Sequence, residues 1–448
     1  MKKKFSVIIN KQIQKFNKTV KIPGDKSCSI RALLFASQCI GISKIKNLLE
    51  SEDVLNCIKS LKTSLGVKIV KKNDIYYVYG NGLNSFKIKK NITKIYVGNS
   101  ATFGRLLAGL LCTHPGRFYL YGDNSMNKRD FTRVINPLEK IGAFFYPRNK
   151  KTLPLTIEGT TMPLSQNFIE DKGSAQIKSS ILMSALSTPG VTTIEEKKIS
   201  RNHTELFLKK INADIKVKKL KKGNLISLKG QKNLYSFDYK VASDPSSVAF
   251  LIALTLLTPK SKLVINNVLC NETRIFFLKI LKKANANIKI SNLKNISGEK
   301  VGSITVHSSK LRPINISKDI GKLIDELPIL FVIASLIPKG TSKFTSIGEL
   351  AHKESSRAIE MKKMLNQAGI KCKVTKNTMI IYGKDKIKTI NKSILIKTKG
   401  DHRICLSASI LALVTGFKTK IKNFETVNTS FPNFIPLIKN LGGKIVIK

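Results

Sequence analysis

The chain has no tryptophan, and only 7 cysteines, 7 methionines and 5 histidines in 448 residues. The cysteines show no C-x-x-C spacing, so they read as reduced thiols of a cytoplasmic protein and not as a disulfide framework. His114, His203, His307, His352 and His402 have no metal-ligand spacing. Long apolar runs are also missing. The longest, Leu327 to Ile337, includes Pro328 and Ser335 and falls far short of the ~20 residues that a membrane span needs. The N-terminal MKKKFSVIINKQIQKF is basic without an apolar stretch, so no secretory signal is expected. There is no G-x-G-x-x-G, and GDKS lacks the full phosphate-loop spacing.

Acids are scarce. Asp+Glu number 28 against 79 Lys+Arg, a formal net charge of +51. Hydrophobic residues make up 42%, which is a globular composition and excludes a disordered chain. Only 11 of the basic residues are Arg. The Lys is spread along the whole chain, as an AT-rich coding bias on solvated faces would leave it. A nucleic-acid surface is the sharper alternative, but no zinc-finger, basic-zipper or RNA-recognition aromatic pattern accompanies the charge. A small anionic substrate is the third reading.

What is present is a repeat. GDKSCSIRALLFAS (24–37), GNSATFGRLLAGLL (98–111), KGSAQIKSSILMSAL (172–186), SDPSSVAFLIALTLL (243–257), LIDELPILFVIASL (323–336) and GDHRICLSASILAL (400–413) each open polar and run into an apolar helical pattern. The markers Ser27, Ser100, Ser174, Ser246, Asp325 and Asp401 fall roughly 75 residues apart. A strand-like segment follows each, then a second, amphipathic helix ending in Gly or Asn, then a short strand. A linear solenoid is one reading of this period. The first helices, however, are apolar on nearly every face and must be buried, which favours two domains of three units each.

The six first helices start with N-cap residues. Helix N-termini attract phosphate and carboxylate, so six such ends facing one cleft would trap anions. The Arg positions agree with this. Arg31, Arg105, Arg201 and Arg403 lie at or beside those helices, and Arg129 and Arg357 are expected to start second helices. Arg in a Lys-rich chain suggests sites that need a bidentate fork. Asp325, Glu354 and Asp401 stand among these cations, where a carboxylate normally has a lowered pKa; capping or ion pairing is the plainer role for each. Cys28, near Lys26 at a helix start, reads either as a thiol of depressed pKa or as a buried inert one.

PGDKSCSIRAL (23–33), VGNSATFGRLL (97–107), NKRD (127–130), GSAQIKSS (173–180), SRNHTE (200–205), DELP (325–328), HKESSR (352–357) and GDHR (400–403) together resemble the enolpyruvyl-transferase family, and within it the EPSP synthase group. The resemblance implies an α/β fold. It is a two-domain inside-out α/β barrel of six βαβαββ-type repeats, three per domain, with pseudo-threefold symmetry. One domain would comprise residues 1–21 and 243–448, and the other the inserted residues 22–242, with the active site in the cleft between them. The implied reaction moves the enolpyruvyl group of phosphoenolpyruvate to the 5-hydroxyl of shikimate 3-phosphate by addition and elimination, in the biosynthesis of chorismate and the aromatic amino acids.

The resemblance also implies roles by position. Asp325 would take the hydroxyl proton, Glu354 would exchange the methylene proton, and Lys26 would span both substrates. Lys26, Ser27, Arg31, Ser174, Ala175, Gln176, Ser200, Arg201, Asp325 and Lys353 would hold shikimate 3-phosphate. Lys26, Asn99, Ala101, Arg129, Gln176, Arg357 and Arg403 would hold phosphoenolpyruvate. No cofactor, metal, nucleic acid or membrane is implied, and a cytoplasmic monomer is expected. Ala101 replaces a family glycine, and its methyl should crowd glyphosate more than the substrate. Ala175 and Thr429 point to the same glyphosate-insensitive branch. Asp130, Ser356, Ala351 and His352 also depart from the family pattern and put fine positioning in doubt. The alternative within the fold is the UDP-N-acetylglucosamine enolpyruvyl transferase, which has Asn after the first-motif lysine, where this chain has Ser27. A non-catalytic relative is the remaining alternative, although Lys26, Asp325, Glu354 and the three clamping arginines are all present.

Overall fold

The six polar-to-apolar segments form six helices: Lys26–Gln38, Ala101–Leu111, Ala175–Ala185, Pro245–Leu257, Leu327–Ser335 and His402–Thr415. The computed structural model describes residues 4–89, 91–147, 151–384 and 393–448, and at His352 the backbone only. Pro245–Leu257 is buried at every position except its last, and Leu327–Ser335 at every position. A helix with no polar face has to sit inside.

Five of the six starts are capped by the side chains their sequences offer. Asp25 accepts the N–H of Cys28, Ser100 that of Phe103, Ser174 that of Ile177, Asp244 that of Ser246 and Asp401 that of Arg403. Leu327–Ser335 follows Glu326, whose side chain makes no capping bond. Its Pro328 lies in the first turn, where a missing N–H costs nothing.

Six four-stranded sheets cover these helices among the described residues. Thr93–Tyr96 shows the shared pattern. It runs parallel to Gly116–Tyr121, which pairs antiparallel with Leu155–Gly159, which pairs antiparallel with Phe144–Tyr146. Side chains of Thr93–Tyr96 alternate buried and exposed, as a sheet with one face on a core requires. A second helix lies in each repeat: Glu52–Thr63, Thr132–Ile141, His203–Lys210, Phe276–Lys283, Arg357–Gln367 and Phe434–Asn440. Shortly after each comes a Gly or Asn with positive φ, namely Gly66 (70°), Gly142 (116°), Asn212 (58°), Asn285 (70°), Gly369 (75°) and Gly442 (91°). These are the left-handed helix terminators the sequence suggests.

One more repeated glycine is a packing device. A Cβ at Gly80, Gly159 or Gly230 would lie 2.1, 2.0 and 2.0 Å from the carbonyl oxygens of Cys39, His114 and Thr188, just past the ends of the first helices. No other residue lets the strand pass so close.

The chain divides into two compact units. One is Met1–Pro23, Ser243–Lys294 and Lys300–Lys448; the other is Gly24–Ala242 with Asn295–Glu299. In the first unit the three buried helices pack pairwise, and Phe331 meets Phe344 edge to face with ring centroids 4.8 Å apart. Val7–Ile9 lies between Thr419–Lys422 and Val446–Ile447, antiparallel to both, and Asn17–Lys21 runs parallel to Lys262–Leu269. In the second unit, Asp238–Lys240 runs parallel to Ile40–Lys46. Strands far apart in sequence therefore complete these sheets, and the helices gather in threes inside them. This is the inside-out α/β barrel, and it sets aside the linear solenoid.

One local expectation changes. Arg129 does not start a helix; it closes the short 3-10 turn Met126–Lys128, and the next helix begins at Thr132. The cause is Asp130, whose Oδ1 accepts the Thr132 N–H at 2.8 Å and so sets the start later. All seven cysteines are buried thiols. Among the described residues, no helix is long and apolar enough to cross a membrane.

Candidate functional site

In the unit Gly24–Ala242, Lys26 is the first residue of its helix, and its Nζ lies 2.9 Å from Oδ2 of Asp53. Asp53 is buried in the first turn of Glu52–Thr63. Ser27 is half-buried, and its carbonyl accepts from Arg31. Arg31 is itself buried. Its Nε donates to Thr204 Oγ1 at 2.8 Å and an Nη to Ser179 Oγ at 2.9 Å. Burial holds this guanidinium below its ordinary pKa, and neighbouring Cys28, Asp25 and Glu205 offset that only in part. Three of its N–H directions are thus spent inside the protein.

Asn99 and Arg129 meet directly. Asn99 Oδ1 accepts from Arg129, and Asn99 Nδ2 donates to Asp123 Oδ2 at 2.7 Å. Ala101 opens its helix and is buried. Gln176 Nε2 donates to Thr102 Oγ1 at 3.2 Å, and its Oε1 accepts from Arg105. Arg105 also donates to the carbonyl of Asp130 at 2.7 Å. The Asp130 side chain therefore has one local task, the helix start at Thr132, while Arg105 takes only its backbone carbonyl, which any residue there would offer. Ser174 caps the helix that Ala175 opens, and all three of Ser174, Ala175 and Gln176 are half-buried.

Ser200 and Arg201 stand above a buried charge cluster. The Ser200 hydroxyl and N–H both donate to Glu196 Oε1, at 2.6 and 2.9 Å. Lys178, fully buried, reaches the same oxygen at 2.6 Å and Glu205 Oε1 at 2.7 Å. Burial alone would push the Lys178 ammonium down, but Glu205 and Glu196 outweigh it and hold it above its ordinary value. Arg201 is half-buried.

In the other unit, Arg357 is the hub. It is buried, and its Nε donates to Asp401 Oδ2 at 2.9 Å. Its Nη groups face Asp325 Oδ1 at 3.4 Å and Glu354 Oε2. Asp325 Oδ1 is also 3.7 Å from Arg403 Nε and 4.0 Å from Lys353 Nζ, and the Asp325 carbonyl accepts from Arg403 at 2.7 Å. Desolvation would lower the Arg357 pKa, yet Asp401, Glu354 and Asp325 raise it well above the usual range. The five expected residues Asp325, Lys353, Glu354, Arg357 and Arg403 thus form one cluster of two half-buried carboxylates among three cations.

Sequence reasoning missed the residues that hold these groups. Asp53 holds Lys26, Asp123 holds Asn99, and Ser355 donates to Asp401 Oδ2 at 2.9 Å; Asp401 itself has the capping and ion-pairing role that the sequence suggests. The one available signal was the scarcity of acids, which makes each buried carboxylate informative. Of the remaining departures, Thr429 is buried with its hydroxyl on the Thr426 carbonyl at 2.8 Å, and Ser356 precedes the Arg357 helix without a side-chain capping bond.

Residues 10–438 match the family described as EPSP synthase (3-phosphoshikimate 1-carboxyvinyltransferase). The 3-phosphoshikimate 1-carboxyvinyltransferase of Ruthia magnifica is 38% identical over 427 residues, 95% of each chain. The EPSP synthase structure from Acinetobacter baumannii superposes with a TM-score of 0.85 at 32% identity, covering 99% of this chain and 100% of that one. The enolpyruvyl transferase NikO of Streptomyces tendae shares the fold at a TM-score of 0.74 and 14% identity, covering 99% of each chain. The chain belongs to the EPSP synthase family.

Proposed function

We propose a division of labour among the residues above for the activity of this family, 3-phosphoshikimate 1-carboxyvinyl transfer. The chain is an enzyme of aromatic biosynthesis by the shikimate pathway. It joins the 5-oxygen of shikimate 3-phosphate to C2 of phosphoenolpyruvate, then expels inorganic phosphate from that carbon. In the addition the hydroxyl loses a proton and C3 gains one. In the elimination C3 gives a proton back as the C–O bond to phosphate breaks. One base and one acid–base group are required.

Asp325 takes the hydroxyl proton and Glu354 serves C3. Lys26 spans both substrates. Asn99, Ala101, Arg129, Gln176, Arg357 and Arg403 form the phosphoenolpyruvate set. Ser27, Arg31, Ser174, Ala175, Gln176, Ser200, Arg201 and Lys353 form the shikimate 3-phosphate set. The observation that carries this reading is Arg357, which faces both Asp325 and Glu354, with Lys353 and Arg403 flanking Asp325. Cations on one side of a carboxylate keep it ionised, as a base must be. Each set draws residues from both units.

We place the protein in the cytoplasm, in keeping with seven buried thiols and no membrane-crossing helix among the described residues. One chain carries both carboxylates, so a monomer suffices. A phosphate-release assay with shikimate 3-phosphate and phosphoenolpyruvate tests the reading, with UDP-N-acetylglucosamine as rival acceptor. Turnover with shikimate 3-phosphate alone is expected; none with it, or turnover with the rival, overturns the assignment.

A further inference from the structure

We propose that Cys28, His203 and Glu299 form a binding site for a thiophilic divalent cation of the zinc class, apart from the groups assigned to the transferase reaction. All three belong to the unit made of Gly24–Ala242 and Asn295–Glu299. Their ligand atoms lie within 4.8 Å of one another, and they are the one such trio among the described residues. Burial is nearly complete, with 2%, 2% and 4% of each residue exposed. His203 Nδ1 is 2.6 Å from Glu299 Oε1.

The donor set is one sulfur, one imidazole nitrogen and one carboxylate oxygen. Zinc takes these three types together, with bonds of about 2.3 Å to sulfur and about 2.0–2.1 Å to nitrogen and oxygen. Tetrahedral edges built from those bonds run to roughly 3.3–3.7 Å. The present spacing brackets that range, the His203–Glu299 contact being shorter and no pair exceeding 4.8 Å.

The charges also balance. A thiolate, a carboxylate, a neutral imidazole and a dication sum to zero, which a dry site requires. The thiol proton leaves on binding. Around the sulfur stand a hydroxyl and a cation. The Tyr239 hydroxyl hydrogen-bonds the Cys28 side chain, and the Arg31 guanidinium interacts with it electrostatically. Such outer groups orient and stabilise a thiolate ligand. The fourth position falls to water. Cys28 sits in the first turn of the Lys26–Gln38 helix, so an ion there ties the Lys26–Ser27 turn to His203, at the start of another helix.

The test uses the full-length protein, stripped with a chelator and titrated with Co²⁺. Retention of one cobalt per chain, with a thiolate-to-cobalt charge-transfer band that Zn²⁺ abolishes, is expected. Cys28→Ser should remove the band, and Cys28→Ser, His203→Gln and Glu299→Gln should each weaken retention at least roughly ten-fold. Cys28→Val replaces Cys28→Ser if circular dichroism shows that the serine variant has lost its fold. No cobalt retained by the parent protein, or cobalt retained without a thiolate band, overturns the proposal.

Discussion

Asp401→Asn separates holding Arg357 from binding substrate. Asp401 is completely buried, and its two oxygens have different tasks. Oδ1 accepts the Arg403 N–H at 2.9 Å and caps the His402–Thr415 helix. Oδ2 accepts from Arg357 Nε and Ser355 Oγ, each at 2.9 Å. Asparagine can keep the first task, because Asn and Asp cap equally well. It then turns an NH2 toward the Arg357 Nε–H, donor against donor. The second Arg357 contact, to Oδ1 at 3.5 Å, is too long to compensate. A hydrogen bond to a charged group contributes about 1.5–3 kcal/mol. At about 1.4 kcal/mol per decade, losing it should lower kcat/KM for phosphoenolpyruvate roughly 10–150-fold. The KM for shikimate 3-phosphate should move less than about three-fold, since Arg357 belongs to the other substrate set. Steady-state kinetics with each substrate varied in turn decides it. Equal rises in both KM values, or no change in either, would refute a positioning role for Asp401.

Glu354→Gln should leave calorimetric binding of both substrates nearly intact while cutting turnover by roughly 10²–10⁴, the usual contribution of a positioned acid–base group; loss of binding instead would mean that Glu354 merely anchors Arg357. Ala101→Gly should lower the inhibition constant of glyphosate with a stability loss of no more than about 1 kcal/mol; an unchanged constant means that the methyl does not crowd glyphosate. Lys178→Met strands Glu196 and Glu205 in the interior and should cost about 3–5 kcal/mol at neutral pH. Burial raises the Glu196 carboxyl, but Lys178 outweighs it and holds the pKa below the ordinary value. The stabilisation from this pair is therefore present above the ordinary carboxyl pKa and fades as pH falls through the lowered one. Urea unfolding of both proteins at pH 7 and near pH 3.5 should show the difference shrinking in acid; an equal difference at both pH values contradicts the ion-pair account.

What the sequence made legible is local in origin. Helix starts and stops depend on a few neighbouring residues, so the caps at Asp25, Ser100, Ser174 and Asp401 and the left-handed Gly66, Gly142, Asn212 and Gly369 could be read directly. The late start at Thr132 was missed because Asp130 competes with Arg129 for the helix boundary through a side-chain bond. Sheet completion is not local: nothing in DYK or in IGISKIK says that Asp238–Lys240 pairs with Ile40–Lys46. The site divides in the same way. The Asp325–Glu354–Arg357 cluster was legible because acids are rare and recognisable motifs carry them. Asp53 under Lys26 was not, since only the fold brings it there. The His203–Glu299 pair is separated by 96 residues, and no spacing rule reaches that far.

The anion trap expected from six helix ends is also narrower than the sequence suggested. A helix N-terminus presents about +0.5 charge, and a carboxylate cap brings −1. At Asp25, Asp244 and Asp401 the cap therefore more than cancels the dipole, and it takes N–H groups that a phosphate would need. Ser100 and Ser174 cap without charge, and beside them stand Asn99, Ala101, Ala175 and Gln176. The start at Leu327 has no capping bond from Glu326, and Asp325 precedes it. Two helix ends thus keep a field that favours anions. At the others side-chain cations must supply the charge, and there the chain uses Arg: Arg31 near Asp25, Arg274 on Asp244, Arg357 on Asp401 and Arg403 near Asp325. A planar fork can hold one carboxylate through Nε and reach others through its Nη groups, as Arg357 does with Asp401 on one side and Asp325 and Glu354 on the other, whereas an ammonium offers no such second edge. That requirement explains why so few arginines, in a chain that otherwise uses lysine, concentrate at these helix starts.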